Sequence, residues 1–147
     1  MANEHKTLRE LMRSLERKIG MFDEPQRNCH NITLAQCHAL VEIGRAKTLS
    51  LIQLSQILEL KTSTVSRTVE CLVKARLVNR DTDPLNRRYI TISLTDDGEK
   101  VFYEVETTMN SLYKRILQNI AKDKQATVIE SIQILLQAMQ PLEKFCI

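Results

Sequence analysis

The chain has 147 residues, 43% of them hydrophobic and 27% charged, with a net charge of +3. That length suits a single domain with a real core, and the composition is ordinary for a soluble globular protein. It excludes a membrane span, because no apolar run reaches roughly 18 residues, and also a disulfide framework, because four irregularly spaced cysteines (Cys29, Cys37, Cys71, Cys146) are too few.

Taken in chain order, the first segment (3–22) places Leu8, Leu11, Met12, Leu15, Ile19 and Phe22 on one helical stripe. Its opening run, MANEHKTLRELMRSLERK, mixes charges of both signs and lacks the apolar stretch of a signal peptide, so the cytoplasm is the expected compartment. The sequence Asp23-Glu24-Pro25-Gln26 is expected to break this helix. A second helix should begin at Thr33, where Thr33 and Gln36 form a capping box and Ile32 with Cys37 a hydrophobic staple. The same device recurs with Ser50 and Gln53, flanked by Leu49 and Leu54, and predicts a short helix over 51–58.

After Glu59-Leu60-Lys61 comes TSTVSRTVECLVKARL, in which Val65, Val69, Leu72 and Leu77 face inward. Two short helices joined by a turn of about three residues have helix-turn-helix spacing. A hairpin follows, with strands over about 77–81 and 88–94 and Asp83-Pro84-Leu85-Asn86 supplying turn chemistry. Its second strand alternates Tyr89, Thr91, Ser93 against Ile90, Ile92, Leu94, and Thr95 caps the next helix. Two amphipathic helices, about 96–121 and 124–140, complete the chain, with Pro141 stopping the second. The fold expected is mainly α with a small β-hairpin: one domain over 1–147, with a winged unit at 33–95 flanked by dimerisation helices at 3–22 and 96–145. Its terminal stripes exceed what a small winged unit covers, which favours a twofold partner.

Charge is unevenly spread. Residues 45–89 hold nine Lys/Arg and four Asp/Glu, a net of +5, and the rest of the chain sums to −2. A basic middle third fits a phosphate-binding surface. Aromatic residues are 4% with no Trp, which disfavours stacking on single strands. A recognition helix enters the major groove by its N-terminal end, where small hydroxyls and an arginine reach base edges and phosphates. Thr62, Ser63, Thr64, Ser66 and Arg67 are of that type and in that place. The hairpin tip would carry Arg87 into a minor groove, where negative potential attracts it. Asp83 would aim that arginine, Arg88 would contact phosphate, and Asn86 shares the tip.

The run LIQLSQILELKTSTVSRTVECLVKARLVNRDTDPLNRRYITISLTDDG resembles the winged helix-turn-helix of the MarR family of bacterial transcriptional regulators. The segment Asp83 to Arg88, followed by Leu94 to Gly98, carries the most specific part of that likeness. The resemblance implies a homodimeric, effector-responsive repressor on palindromic double-stranded DNA, with a small molecule as effector. It implies Ser63, Thr64, Ser66 and Arg67 on the recognition helix, and Asp83 and Arg87 on the wing. Three features depart from the pattern. Lys61 replaces a hydroxyl cap, glycines are missing near Glu59 and at Ala75, which predicts tighter or helical connections there, and Cys37 stands in for a large apolar residue.

Cys29-His30 and Cys37-His38 offer soft ligands within ten residues, but the spacing matches no zinc-finger type, and Cys37 and His38 diverge by about 100° on a helix. Cys37 reads best as core. Cys29 and Cys37 stay as candidate redox sensors, and no metal, cofactor or catalytic residue is expected. Two other readings compete with the regulator: a winged module used only for protein contacts, and a cysteine-dependent enzyme. The second lacks a nucleophile turn, a phosphate loop and carboxylates at ligand spacing.

Overall fold

Three helix starts carry the caps expected from the sequence. In the computed structural model, which describes residues 2–82, 84–86 and 89–145, the Thr33 hydroxyl accepts from the Gln36 amide at 3.2 Å, and the Gln36 side chain accepts from the Thr33 amide at 3.1 Å. This box opens α2 (Leu34–Ala46). Ser50 and Gln53 repeat it at 3.1 and 2.8 Å to open α3 (Leu51–Leu58). At α5 (Asp96–Gln118) the Thr95 hydroxyl accepts from the Gly98 amide at 3.0 Å and donates to the Arg76 carbonyl at 2.7 Å. Each cap satisfies amides that the helix itself leaves unpaired.

The first helix departs from expectation. α1 runs Glu4–His30 with Pro25 inside it, so Asp23-Glu24-Pro25-Gln26 does not break it. A proline in a helix interior costs roughly 3 kcal/mol through a lost hydrogen bond and a clash. Here the stripe of half-buried residues continues beyond it, with Ile19, Asp23, Gln26, Arg27 and His30 at helical spacing, and packing along that face outweighs the local penalty. His30 Nε2 also lies 3.3 Å from Glu104 of α5. α1 ends where Asn31 turns left-handed (φ 55°), its amide reaching the Asn28 carbonyl while the Ile32 amide reaches that of Arg27. This is a Schellman motif, and Ile32 beyond it is buried.

The connections expected to be tighter for want of glycine use the same motif. Glu59 (φ 56°) ends α3, with its own amide on Gln56 and the Leu60 amide on Ser55. Arg76 (φ 63°) follows α4 (Thr62–Lys74), with its amide on Val73 and the Leu77 amide on Leu72. A side chain in the left-handed region costs roughly 1–2 kcal/mol, and glycine returns part of any gain by loosening the unfolded chain. Glu59→Gly and Arg76→Gly are therefore each expected to raise stability by up to about 1 kcal/mol in urea unfolding. A loss of stability in both would show that their side chains contribute more than the backbone strain. Lys47 (φ 69°, ψ −59°) makes a γ-type turn after α2.

The sheet has three strands rather than the expected two, in the order β1-β3-β2. β1 (Thr48–Ser50) is too short to show alternation and was not legible in sequence. It pairs antiparallel with β3 (Ile90–Leu94), Leu49 opposite Ile92, and β2 (Val78–Thr82) pairs with β3 from Val78 opposite Leu94 to Thr82 opposite Ile90. The strands therefore differ slightly from 77–81 and 88–94: Leu77 and Tyr89 lie outside them. Along β3, Ile92 and Leu94 are buried while Tyr89 before them is exposed, as the alternation predicted.

By its internal contacts the chain divides into two compact units, Met1–Glu106 and Thr107–Ile147. The first has the core: Leu40, Ile43, Leu54, Val65, Val69, Leu72 and Ile92 are fully buried, so α2, α3, α4 and the sheet close on one another. In the second, α6 (Gln125–Met139) replaces the expected 124–140, and a tight helical stretch, Gln140–Phe145, carries the chain on through Pro141. The Gln125 side chain donates to the Leu117 and Ile120 carbonyls at 3.0 and 3.1 Å, fastening α6 to the end of α5.

Candidate nucleic-acid interface

α4 is held by one face and open on the other. Val65, Val69 and Leu72 are wholly buried, which fixes the rotation of the helix and leaves Ser63, Thr64 and Arg67 exposed at its start. Ser66 lies a quarter turn toward the core and is half-buried. Thr62 is exposed, but its hydroxyl sits 3.5 Å from that of Ser55, which is buried and donates to the Ile52 carbonyl at 2.7 Å. Thr62 thus lies against α3 at the turn, and the outward-facing group is Ser63, Thr64 and Arg67.

Unlike α2, α3 and α5, this helix begins at Lys61 with no side-chain cap. Its first amides keep their donors for water or an anion, and the helix dipole adds partial positive charge there. Lys61 is exposed beside them, so a basic residue takes the position where a side-chain cap would occupy those amides. Lys61 was absent from the recognition set expected from sequence; the signal was the missing hydroxyl itself. Further along the open face lie Cys71, exposed, and Lys74, 3.7 Å from Glu70.

β2 and β3 carry the chain out to a tip and back. Of the four tip residues expected to matter, Asp83, Arg87 and Arg88 lie outside the described residues. Asn86 is exposed, and its carbonyl accepts from the Tyr89 amide at 2.9 Å, a turn just before β3. Leu85 beside it is 97% exposed. The Thr95 hydroxyl bond to Arg76, together with the Thr95 amide on the Leu77 carbonyl at 3.0 Å, ties the end of β3 to the end of α4. Hairpin and helix are therefore joined at their bases by named hydrogen bonds.

The cysteine-histidine pairs do not converge. Cys29 and His38 are exposed, whereas Cys37 and His30 are partly buried, and His30 is engaged with Glu104. No group of three or more metal-ligating side chains occurs among the described residues. Burial, with Asp23 nearby, pushes the Cys37 thiol up from its ordinary range, so its nucleophilic thiolate is scarce at neutral pH. Iodoacetamide at pH 8 is expected to alkylate Cys29 and Cys71 well before Cys37, read by mass spectrometry of timed aliquots; equal rates would show that Cys37 is open to solvent.

An exposed hydroxyl-and-arginine helix start, packed on a second short helix and followed by a β-hairpin, defines the winged helix-turn-helix class of protein. Comparison with known proteins places it more closely. Residues 32–90 match the model of the MarR family. The HTH-type transcriptional repressor MdtR of Bacillus subtilis (strain 168) is 26% identical over 113 residues, 77% of this chain and 73% of that protein. An uncharacterized HTH-type transcriptional regulator of the same organism, YhbI, is 34% identical over 71 residues, 48% of this chain and 46% of YhbI, so the match spans about half the length of that relative. The fold is shared with Streptococcus pneumoniae FabT, solved in complex with DNA, at a TM-score of 0.83 and 17% identity over 95% of this chain and 100% of that one. Over residues 32–90 the chain thus resembles the winged helix-turn-helix of the MarR family. No helix among the described residues is long and apolar enough to cross a membrane.

Proposed function

We propose that this protein is a sequence-specific, double-stranded DNA-binding transcriptional regulator that acts as a homodimer on a palindromic operator and represses until an effector binds. The observation that carries the reading is the start of α4: a rotationally fixed, uncapped helix end presenting Ser63, Thr64 and Arg67 beside Lys61. Such an end suits a major groove, and the hairpin, with Arg87 and Arg88 in its tip sequence, suits the phosphates and minor groove alongside. The relatives support it in their own names, one being a repressor and one fold neighbour having been solved on DNA.

The apolar residues left in water support the dimer. α1 buries no residue, and Leu11 and Leu15 on its stripe are 63% and 44% exposed. None of the described residues after Glu106 is buried, and Ile132, Leu136 and Met139 of α6 remain about half exposed at 47%, 57% and 45%. Amphipathic helices with their apolar side in water call for a partner, and a second copy with the same stripes supplies one.

The test is fluorescence anisotropy on a pool of random duplexes at several salt concentrations, with sedimentation in parallel. A dimer contacting about 6–10 phosphates should lose roughly 10³–10⁵ in affinity between 50 and 200 mM salt, and should sediment at twice the 17.0 kDa chain mass. Binding that is absent, or flat with salt, would sink the regulator reading in favour of a module for protein contacts.

A further inference from the structure

We propose that Leu85, at the bend between β2 and β3, is a specificity-determining residue that rests on the floor of a DNA minor groove and rejects G·C pairs there. Its side chain is 97% exposed, against 70% for Met21 and Tyr103, the next most exposed large apolar residues among those described. An exposed leucine is by itself ordinary on a protein surface; this one is set apart by its place. The chain bends at Pro84 and Leu85, and the Asn86 carbonyl accepts from the Tyr89 amide to lead back into β3. Bends of this kind favour Asp, Asn, Ser or Gly, whose side chains bond the backbone or free it. Leucine does neither, and at this exposure it adds nothing to the core. Its apolar surface is left for something outside the chain.

The base of the hairpin sets its reach. Thr95 ties the end of β3 to Arg76 and Leu77, directly after α4. With the start of α4 in a major groove, a β2 of five residues at about 3.3 Å each spans roughly 16 Å. The neighbouring minor groove lies about half a helical turn away, roughly 17 Å. That groove is about 6 Å wide, enough for a leucine side chain. This role for Leu85 rests on the DNA-binding reading above and adds to it a base preference.

Minor-groove chemistry sets the preference. Every pair presents acceptors on the floor of that groove, so these cancel in any comparison. Only G·C adds a donor, the guanine 2-amino group. Water satisfies that donor in free DNA. A leucine seated over it removes the water and returns no acceptor, and a buried unpaired donor is strongly disfavoured. Over A·T the same leucine covers the C2–H edge of adenine, and apolar surface leaves water on both sides. Arg87, two residues on in the sequence, would also favour A/T-rich DNA, but through the potential of a narrow groove.

Base analogues isolate the amino group. Inosine·C is a G·C pair without it, and diaminopurine·T is an A·T pair with it. Each pair is placed in turn along the flanks of the tightest duplex recovered from the random pool, and affinity is read by fluorescence anisotropy. At the position under the hairpin, A·T and inosine·C should bind within about twofold of each other, and G·C and diaminopurine·T about tenfold more weakly. Leu85→Asn, whose side-chain carbonyl can accept from the amino group, should bring all the pairs within about threefold. Circular dichroism checks that the variant melts with wild type. No amino-dependent position in the flanks, or one that keeps its tenfold preference in Leu85→Asn, overturns this role and leaves the regulator reading in place. The second of those results would assign the preference to groove shape and Arg87. A wild-type protein with no salt-dependent duplex binding sinks both.

Discussion

Gly98→Ala is expected to destabilise the protein by about 3 kcal/mol, with a fall in Tm of roughly 10 °C. A methyl group built on Gly98 would run into the carbonyl oxygen of Leu77, with the Leu94 side chain close on another side at 3.3 Å. The obstacle is main chain, and that main chain is pinned: the same Leu77 carbonyl accepts from the Thr95 amide, and Thr95 in turn holds Arg76. To make room, the first turn of α5 must lift from the end of α4, breaking the cap at Thr95. Gly44 supplies the control. A methyl there would meet the Phe102 ring at 2.5 Å, but a half-buried ring can rotate aside, so Gly44→Ala should cost about 1–2 kcal/mol. Thermal unfolding of both variants decides it. A Gly98→Ala protein melting within 2–3 °C of wild type would show that the junction has slack.

Arg67→Ala is expected to cost about 1–3 kcal/mol of duplex affinity, roughly tenfold to a hundredfold, while leaving the fold intact. Arg67 is exposed, it is one turn beyond Ser63, and no ion pair is formed by it among the described residues. Nothing in the core depends on it, because the inward face of α4 is Val65, Val69 and Leu72. The substitution should also relax discrimination at a base step if Arg67 reads a base. If it binds phosphate, the loss should be uniform across sequences and the salt slope should fall by about one. Arg87→Ala, in the sequence between β2 and β3, is expected to weaken binding more on A/T-rich flanks, where a narrow minor groove concentrates negative potential. Unchanged affinity in Arg67→Ala would move the contact surface away from the start of α4.

Much of this molecule was legible from side-chain chemistry at single positions. Thr33, Ser50 and Thr95 announced three helix starts because a hydroxyl before an apolar run has one strong local use, and Gln36 and Gln53 completed two of them. The inward residues of α4 followed from spacing alone. What was not legible depended on partners far along the chain. Pro25 is a local breaker, and packing of Gln26, Arg27 and His30 after it keeps α1 whole. β1 is three residues with no pattern of their own, a strand only because Ile92 and its neighbours lie opposite. Left-handed turns at Glu59 and Arg76 carry no glycine to mark them. The candidate site divides in the same way: Ser63, Thr64 and Arg67 face outward as expected, Thr62 lies against α3, Ser66 is half-withdrawn, and Lys61 gained meaning only once the uncapped helix end was seen.

Ser50 belongs to two elements at once. As the last residue of β1 it stands opposite Thr91 in the central strand of the sheet, and as the cap of α3 its hydroxyl holds the first turn of the helix-turn-helix. At the other end Thr95 clasps the outgoing strand to the end of α4. The wing is thus riveted to the reading head at both sides rather than hinged to it. A duplex would therefore meet the helix and the base of the hairpin in the one arrangement that these bonds set.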